Sequence, residues 1–173
     1  MNKIKVAFLD RDGTITKEYE DEEWKNKTIP EFLQGTLPAL KKITDLGYKI
    51  IIITNQGLIS QGIIKLEDYE KYTENLIKEL KKNKIEVLDI FFCPHTKEEN
   101  CNCKKPKPGM VLEACKKYDI DIDKSFVAGD RPSDEGIAKY FNMTFFGVNY
   151  TPKDTKNKRV KNLEEIIPYI KQL

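Results

Sequence analysis

Short, continuous apolar runs recur along the chain and restrict the folds that are open to it. The four isoleucines at residues 50–53 leave no polar position, so a strand there would be buried on both faces. We predict strands over 4–9, 48–54, 88–93, 125–129 and 144–148. Strands of this kind need a covering layer on each side of their sheet.

Helical patterns alternate with these strands and supply the covering layers. Apolar residues at helical spacing occur in 37–46 and 69–80, and Pro108 with Gly109 opens a third helix. Two more helices are predicted, over 133–140 and after Asn162. The alternation indicates an α/β fold, a Rossmann-like three-layer sandwich around a mostly parallel sheet, and we expect residues 1–173 to form a single domain.

Composition limits the classes of protein that remain. Hydrophobic residues make up 39% and charged residues 34% of the 173 residues, which is typical of a globular chain rather than a disordered one. The net charge of +2 gives no support for nucleic-acid binding. No apolar run approaches the length of a membrane span, and Asp10 comes too early for a secretory signal. We therefore expect a cytoplasmic monomer without membrane contact.

Two carboxylates end the first predicted strand. Asp10 and Asp12 are two residues apart, so their side chains point the same way at the end of an extended segment, and Gly13 then permits a sharp turn. Adjacent carboxylates raise each other's pKa, whereas bound Mg²⁺ removes their repulsion. The pattern predicts a metal-assisted phosphoryl-transfer site, and the alternative is a solvated acidic turn.

Polar side chains also follow two other strands. Thr54 and Asn55 end the second strand, and Asp130 ends the fourth. Because ligands bind beyond the carboxyl ends of parallel strands, these residues should meet Asp10. A carboxylate attacking a phosphate monoester at about 4 Å is repelled by roughly 4 kcal/mol at an effective dielectric near 20. Magnesium and a lysine would cancel that repulsion, while Thr54 and Asn55 would hold the phosphoryl oxygens.

The residues around 4–148 resemble the haloacid dehalogenase-like phosphohydrolases. The four motifs of that family are matched by Asp10-Arg11-Asp12-Gly13-Thr14, Thr54-Asn55, Lys105-Pro106, and Gly129-Asp130 followed by Asp134. The resemblance implies an enzyme, a phosphoric monoester hydrolase, in which Asp10 becomes phosphorylated. It also implies that Asp12 protonates the leaving alcohol and then activates the hydrolytic water.

The same resemblance assigns roles to the other matched residues. It implies that Thr54 binds the transferring phosphate and that Lys105 neutralises both the phosphate and Asp10. It places Mg²⁺ on Asp10, Asp130 and the backbone carbonyl of Asp12. Asp134 is implied to orient Lys105 or to support the shell of the metal.

A cysteine-rich loop precedes the predicted catalytic lysine. Residues 93–103 contain Cys93, His95, Cys101 and Cys103, and three thiolates with one imidazole suit tetrahedral Zn²⁺. Four protein ligands would fill the coordination sphere, so the ion would be structural. The alternative is a group of reduced, solvent-facing thiols beside the only histidine of the chain.

The loop resembles one zinc-bearing group within the family. Cys-Pro-His, Cys-x-Cys and Lys-Pro occur in the order found in the phosphatases of D-glycero-D-manno-heptose 1,7-bisphosphate and of histidinol phosphate. From this resemblance we expect a small sugar phosphate as substrate, with the 7-phosphate of the heptose bisphosphate removed. The alternatives are histidinol phosphate, a polynucleotide 3′-phosphate and, in another class, a receiver-like phospho-switch. Asp12 argues against the switch, which should not carry its own acid–base group.

The gaps between the motifs leave no room for a large cap domain, so an open site with loop lids is expected. Lys104 and Arg131 would contact a second phosphate or sugar hydroxyls, or are surface charges. Tyr19 and Trp24, in the polar segment 15–35, either cover a substrate or anchor that segment.

Overall fold

A six-stranded sheet forms the centre of the computed structural model, which describes residues 3–173. The strands are β1 (Val6–Leu9), β2 (Lys49–Asn55), β3 (Val87–Cys93), β4 (Phe126–Gly129), β5 (Thr144–Val148) and β6 (Lys158–Val160). All of the paired strands run parallel, in the order β3-β2-β1-β4-β5-β6. The expected α/β class is therefore confirmed.

Helices cover both faces of this sheet. They are α1 (Thr36–Asp45), α2 (Leu66–Lys82), α3 (Gly109–Lys117), α4 (Pro132–Phe141) and the short α5 (Ile167–Ile170). Two separate apolar clusters hold the layers together, one containing Leu9 and Ile52 and the other containing Phe8 and Ile53. Neighbouring residues of β1 and β2 thus point to opposite faces, which explains why Val6–Leu9 and residues 50–53 have no polar position.

The strand order places the ends of β1 and β4 side by side at the point where the order reverses. From β1 the chain proceeds to β2 and β3 on one side and to β4, β5 and β6 on the other. In open parallel sheets the crevice at such a point is where ligands bind. Asp10 follows β1 and Asp130 follows β4, so the topology itself brings these two carboxylates together.

Two elements differ from the sequence prediction. β6 was not predicted, because the three residues of Lys158–Val160 are too short to show a period, and pairing with β5 decides their conformation. The last helix begins with a 3₁₀ turn at Leu163–Ile166, which Asn162 caps by accepting a hydrogen bond from the backbone N–H of Glu164 at 3.0 Å. Asn162 is therefore the predicted cap, but of a 3₁₀ turn.

The segment after β1 is anchored rather than open. It contains a 3₁₀ turn at Asp21–Asn26, in which Trp24 is buried, and Tyr19 packs on Trp24 edge to face at 5.1 Å between ring centroids. These two aromatic residues pack with Ile64, Tyr69 and Tyr72 in a third apolar cluster, so they anchor the segment.

No large cap domain is inserted within residues 3–173. Only the 3₁₀ turn lies between β1 and α1, and only α2 lies between β2 and β3. In the same residues, no helix combines the length and the apolar character needed to cross a membrane.

Candidate active site

Lys105 lies at the centre of the polar cluster beyond β1, β2 and β4. Its ammonium group donates hydrogen bonds to Asp10 Oδ1 at 2.8 Å, Asp134 Oδ1 at 2.7 Å and the carbonyl of Ile53 at 2.7 Å. Three donors thus meet three acceptors, and only 4% of the residue is exposed. Burial lowers the pKa of Lys105, but the charges of Asp10 and Asp134 outweigh burial and raise it above its ordinary value. The lysine is therefore a fixed cation.

Asp134 reaches Lys105 from the first turn of α4. It is 1% exposed, and its Oδ2 accepts a hydrogen bond from the backbone N–H of Arg131 at 3.2 Å. Burial raises the pKa of Asp134 to about 6 although the charge of Lys105 opposes the shift. This packing requires Gly129, because a Cβ there would lie 2.2 Å from Asp134 Cγ. Asp134 therefore contacts the ammonium group that it is predicted to orient.

Asp130 has a carboxylate oxygen without a hydrogen-bond partner among the described residues. This atom, Oδ1, is buried. Burial, reinforced by the negative charge of Asp10, raises the pKa of Asp130 to about 8. The side chain lies against Gly13, where φ is +84° and a Cβ would come within 2.1 Å of Asp130 Oδ2. Gly13 thus permits both the turn and the approach of this carboxylate.

The three carboxylates suit a divalent cation. Asp10, Asp130 and Asp134 each offer an oxygen within 4.8 Å of the other two, while Lys105 provides a single positive charge. Carboxylate oxygens are the ligands that Mg²⁺ prefers, and an orphaned buried oxygen is the kind of atom that a cation satisfies. Two of the three predicted magnesium ligands, Asp10 and Asp130, therefore belong to a group of carboxylates that fits the ion.

The carboxylate of Asp12 is held by three neighbouring side chains. Arg11 donates from Nε to Oδ1 at 2.7 Å and from Nη2 to Oδ2 at 2.9 Å. Gln56 Nε2 donates to Oδ2 at 2.9 Å, and the hydroxyl of Thr16 donates to Oδ1 at 3.4 Å. Arg11, Thr16 and Gln56 had no predicted role from the sequence. The sequence signal that could have pointed to Arg11 is its place between Asp10 and Asp12, directly after an apolar strand.

The predicted phosphate-binding residues lie at the end of β2. Thr54 is buried, and its Oγ1 accepts a hydrogen bond from Gln56 Nε2 at 2.8 Å, which leaves the hydroxyl hydrogen available as a donor. The side chain of Asn55 instead binds the backbone of Lys105, accepting from its N–H at 2.9 Å and donating to its carbonyl at 3.2 Å. Through its amide, Asn55 thus joins β2 to the loop of residues 104–108 that carries Lys105, which we call the lysine loop.

The two predicted outer cations have different surroundings. The guanidinium of Arg131 is exposed and forms an ion pair with Glu18. Lys104 Nζ donates to the carbonyl of His95 at 3.2 Å, and a Cβ placed on Gly57 would lie 3.3 Å from this ammonium. Lys104 therefore faces the loop after Thr54, whereas Arg131 borders the segment after β1.

The four predicted zinc ligands converge in the loop after β3. Sγ of Cys103 lies 2.9 Å from Sγ of Cys93, 3.5 Å from Sγ of Cys101 and 3.2 Å from Nδ1 of His95. Zn–S bonds of about 2.3 Å would set the sulfurs about 3.8 Å apart in a tetrahedron, so a small expansion would accommodate the ion. Burial opposes ionisation of Cys101, but a hydrogen bond from the backbone N–H of Lys104 helps to lower the pKa of that thiol to about 6.

The fourth cysteine stands apart from this cluster. Cys115 lies on α3, partly buried against one of the two apolar clusters of the sheet. Cys115 is not among the predicted zinc ligands, and it lies outside the group that they form in the structure.

Known proteins resemble the chain over most of its length. The family described as polynucleotide kinase 3 phosphatase matches residues 5–162. A D-glycero-α-D-manno-heptose-1,7-bisphosphate 7-phosphatase from Photorhabdus laumondii is 46% identical over 146 residues, which cover 77% of this chain and 75% of that protein. A D-glycero-β-D-manno-heptose-1,7-bisphosphate 7-phosphatase from Helicobacter pylori is 40% identical over 171 residues, covering 96% and 97%.

A solved structure shows the same fold. It is that of the D,D-heptose 1,7-bisphosphate phosphatase from B. bronchiseptica in complex with magnesium and phosphate, with a TM-score of 0.85 at 22% identity. The alignment covers 98% of this chain and 99% of that one. The similarity to this structure therefore covers the whole arrangement of sheet and helices rather than one motif.

The buried carboxylate of Asp130 should cost stability when no metal is bound. Its raised pKa means that the folded state holds the proton more tightly than the unfolded state, so stability is lost as pH rises from about 4 through about 8. In EDTA, we expect Asp130→Asn to raise Tm by about 2–8 °C at pH 8, the shift that about 1–2 kcal/mol gives in a domain of this size. Thermal unfolding measured from pH 4.5 to pH 8 checks this.

Asp123→Asn serves as the control for this measurement, because Asp123 lies in a 3₁₀ turn and is exposed. It should leave Tm unchanged across the range. A Tm for Asp130→Asn that stays below that of the wild type at pH 8 would contradict the electrostatic account.

Proposed function

The chain belongs to the polynucleotide kinase 3 phosphatase family of haloacid dehalogenase-like phosphatases, and from this premise we propose that it hydrolyses a small sugar phosphate through a phosphorylated Asp10. One observation carries the proposal. Lys105 binds the carboxylate of Asp10 at 2.8 Å beside the orphaned oxygen of Asp130, so a nucleophile, a cation and an unfilled ligand position lie together.

Asp10 is the nucleophile in this proposal. The bond between Lys105 and Asp10 Oδ1 holds the carboxylate in one rotamer and leaves Oδ2 to attack phosphorus. The fixed ammonium also stabilises the negative charge that collects on the phosphoryl oxygens. Asp12 gives its proton to the leaving alcohol and later takes a proton from the attacking water.

Asp10, Asp130 and the backbone carbonyl of Asp12 would hold Mg²⁺. When bound, the ion supplies the positive charge that lets a carboxylate approach a phosphate dianion. The magnesium and phosphate named for the B. bronchiseptica enzyme support this choice of metal. The hydroxyl hydrogen of Thr54 would bind a phosphoryl oxygen, and Asn55 would support the lysine loop beside the backbone N–H groups at the end of β2.

The proposed substrate is D-glycero-D-manno-heptose 1,7-bisphosphate, with removal of the 7-phosphate. The names of the two curated relatives support it, and one of them aligns with 96% of this chain. A second phosphate needs a cation outside the reaction centre. Lys104 is the better placed of the two predicted cations, since Arg131 already pairs with Glu18.

Histidinol phosphate is a second candidate, and an acidic cavity favours it. Beside the site, a cavity of about 490 Å³ is lined by Lys17, Glu18, Tyr19, Glu20, Asp21, Glu23 and Arg131. Four carboxylates against two cations make this cavity negative, which suits the ammonium and imidazole groups of histidinol phosphate better than a second phosphate. Turnover on both substrates decides between them.

Zinc is proposed as a structural ion on Cys93, His95, Cys101 and Cys103. The loop that these residues close continues directly into Lys104 and Lys105, so the ion would support the catalytic lysine from one side. A single domain, a monomeric state and a cytoplasmic location remain proposals made from the sequence. A polynucleotide 3′-phosphate is the weaker alternative at a net charge of +2.

The proposed chemistry predicts phosphate release that depends on Asp10. With Mg²⁺ present, we expect release from heptose 1,7-bisphosphate to exceed release from histidinol phosphate and from a 3′-phosphorylated oligonucleotide. Asp10→Asn should lower the rate by at least about 10³-fold, because removal of a nucleophile removes the covalent route. Phosphate is measured continuously on both heptose anomers.

The outcomes of this panel separate the alternatives. Faster release from histidinol phosphate would replace the heptose assignment and would support the acidic cavity as the substrate-binding face. Release that persists in Asp10→Asn would contradict the covalent mechanism.

The zinc proposal predicts one zinc ion per chain and a loss of stability when a ligand is removed. Cys103→Ser should lower the zinc content and should cost more than about 3 kcal/mol, because loss of a structural metal is among the most damaging single changes. Cys115→Ser, which removes the cysteine outside the cluster, is the matched control. Elemental analysis and chemical denaturation measure both variants, and a metal-free wild type of equal stability would contradict the proposal.

A further inference from the structure

Arg11 is a buried arginine whose guanidinium is committed to one partner. It is 2% exposed, its Nε and Nη2 donate to the carboxylate of Asp12, and its Nη1 is buried without a hydrogen-bond partner among the described residues. A carboxylate that accepts both branches of the fork is held in the plane of the guanidinium. The fork therefore fixes the orientation of the Asp12 carboxylate.

Three aromatic rings surround the guanidinium of Arg11. The Cζ atom of Arg11 lies 4.6 Å from the ring centroid of Tyr72, 5.4 Å from that of Trp24 and 5.6 Å from that of Tyr69. Trp24 and Tyr72 also contact each other, edge to face, at 5.5 Å. We call Trp24, Tyr69 and Tyr72 the aromatic cage. Aromatic faces attract a cation, so the cage favours the charged guanidinium at this place.

The cage joins two distant parts of the chain. Trp24 comes from the 3₁₀ turn after β1, whereas Tyr69 and Tyr72 come from α2. The position of Arg11 is thus set by packing outside the reaction centre. Its Nε and Nη2 are the atoms that contact Asp12. Burial of an arginine costs free energy, and a buried ion pair often adds no net stability to a fold. A role in placing Asp12 therefore explains the burial of Arg11 better than a contribution to folding does.

Gln56 and Thr16 also donate hydrogen bonds to the carboxylate of Asp12. With the two branches of Arg11, they bring four donors to the two carboxylate oxygens. Gln56 also binds Thr54, the residue at the end of β2 that faces the phosphate in the proposed function. The carboxylate is therefore fixed relative to the place where the phosphoryl group is held.

We propose that Arg11 is a positioning residue, whose cage-held fork fixes the carboxylate of Asp12 for the hydrolysis of phosphorylated Asp10. The inference rests on the proposed function, because it needs Asp12 as the base. In this step the oxygen of water forms a bond to phosphorus, and its proton passes to Asp12. The bond between phosphorus and Asp10 breaks, and its electron pair returns to the Asp10 carboxylate. The proton on Asp12 then serves the next leaving group.

The fork matters more than the charge in this role. Guanidinium is planar and binds a carboxylate through two parallel hydrogen bonds, whereas lysine supplies a point charge that does not set the plane. Arg11→Lys should therefore retain the attraction to the aromatic cage and lose part of the orientation of Asp12. Arg11→Met removes both.

Burst kinetics with p-nitrophenyl phosphate and Mg²⁺ test the proposal. Nitrophenolate leaves without a proton, so phosphorylation of Asp10 does not need Asp12, whereas hydrolysis of the phosphorylated enzyme does. For Arg11→Met we expect a nitrophenolate burst near one per folded chain, followed by turnover about 10- to 100-fold slower than in the wild type. Arg11→Lys should be intermediate, and Arg159→Met, which removes an exposed arginine of β6, should match the wild type.

The contrary results are distinct. A merely structural role would lower the burst and the turnover together, in proportion to the folded fraction reported by far-ultraviolet circular dichroism. That result, or unchanged turnover in Arg11→Met, would overturn the inference while leaving the proposed function intact. A wild type without Asp10-dependent release would overturn both. If Arg11→Met does not fold, Arg11→Lys is judged by the same two quantities.

Discussion

The ammonium group of Lys105 is the interaction on which the arrangement of the site depends. It binds the carboxylates that follow β1 and begin α4, and the carbonyl of Ile53 in β2, so three elements are tied to one cation. Without this charge, the carboxylates of Asp10 and Asp134 would be buried side by side with no compensation. With it, the same buried position becomes a place where a carboxylate can meet a phosphate dianion. Lys105 is itself held by residues distant in the sequence: Asn55, 50 positions away, binds its backbone, and Asp134, 29 positions away, binds its side chain.

The sheet topology and the loops contribute differently to this centre. The parallel order fixes where β1 and β4 end, and that brings Asp10 and Asp130 together at the switch point. Lys105 and Asp12 instead lie outside the strands: Lys105 is bound by β2 and by Asp134 of α4, and Asp12 is bound by Arg11, which the aromatic cage surrounds. Rigid strands thus hold the proposed nucleophile and metal ligand, and packed loops carry the groups that supply charge and move protons.

Much of this arrangement could be predicted from the sequence, because it follows from the ends of strands. Apolar runs indicated five of the six strands, and the polar residues after them indicated the meeting of Asp10, Thr54 and Asp130. The cysteine spacing likewise predicted four ligand atoms that the structure brings within 4.8 Å of one another. These features depend on short-range pattern and on strand direction, both of which a sequence carries.

The rest depended on contacts between distant residues. The hold of Gln56 on Asp12 spans 44 positions, and the cage of Arg11 needs both α2 and the 3₁₀ turn at Asp21–Asn26, so no local pattern reveals either. The ion pair between Arg131 and Glu18 spans 113 positions, and it too could not be predicted from the sequence. Long-range side-chain pairing of this kind is what tertiary packing adds to the pattern of strands and helices.

Direct detection of the phosphorylated residue tests the central claim. Enzyme and substrate are mixed with Mg²⁺, quenched in acid within milliseconds and digested, and the peptide that contains residues 6–14 is analysed by mass spectrometry. We expect one phosphoryl group on Asp10, removed by hydroxylamine as for any acyl phosphate and absent from Asp10→Asn. A phosphoryl group on another residue, or rapid turnover with no phosphorylated peptide at any quench time, would contradict it.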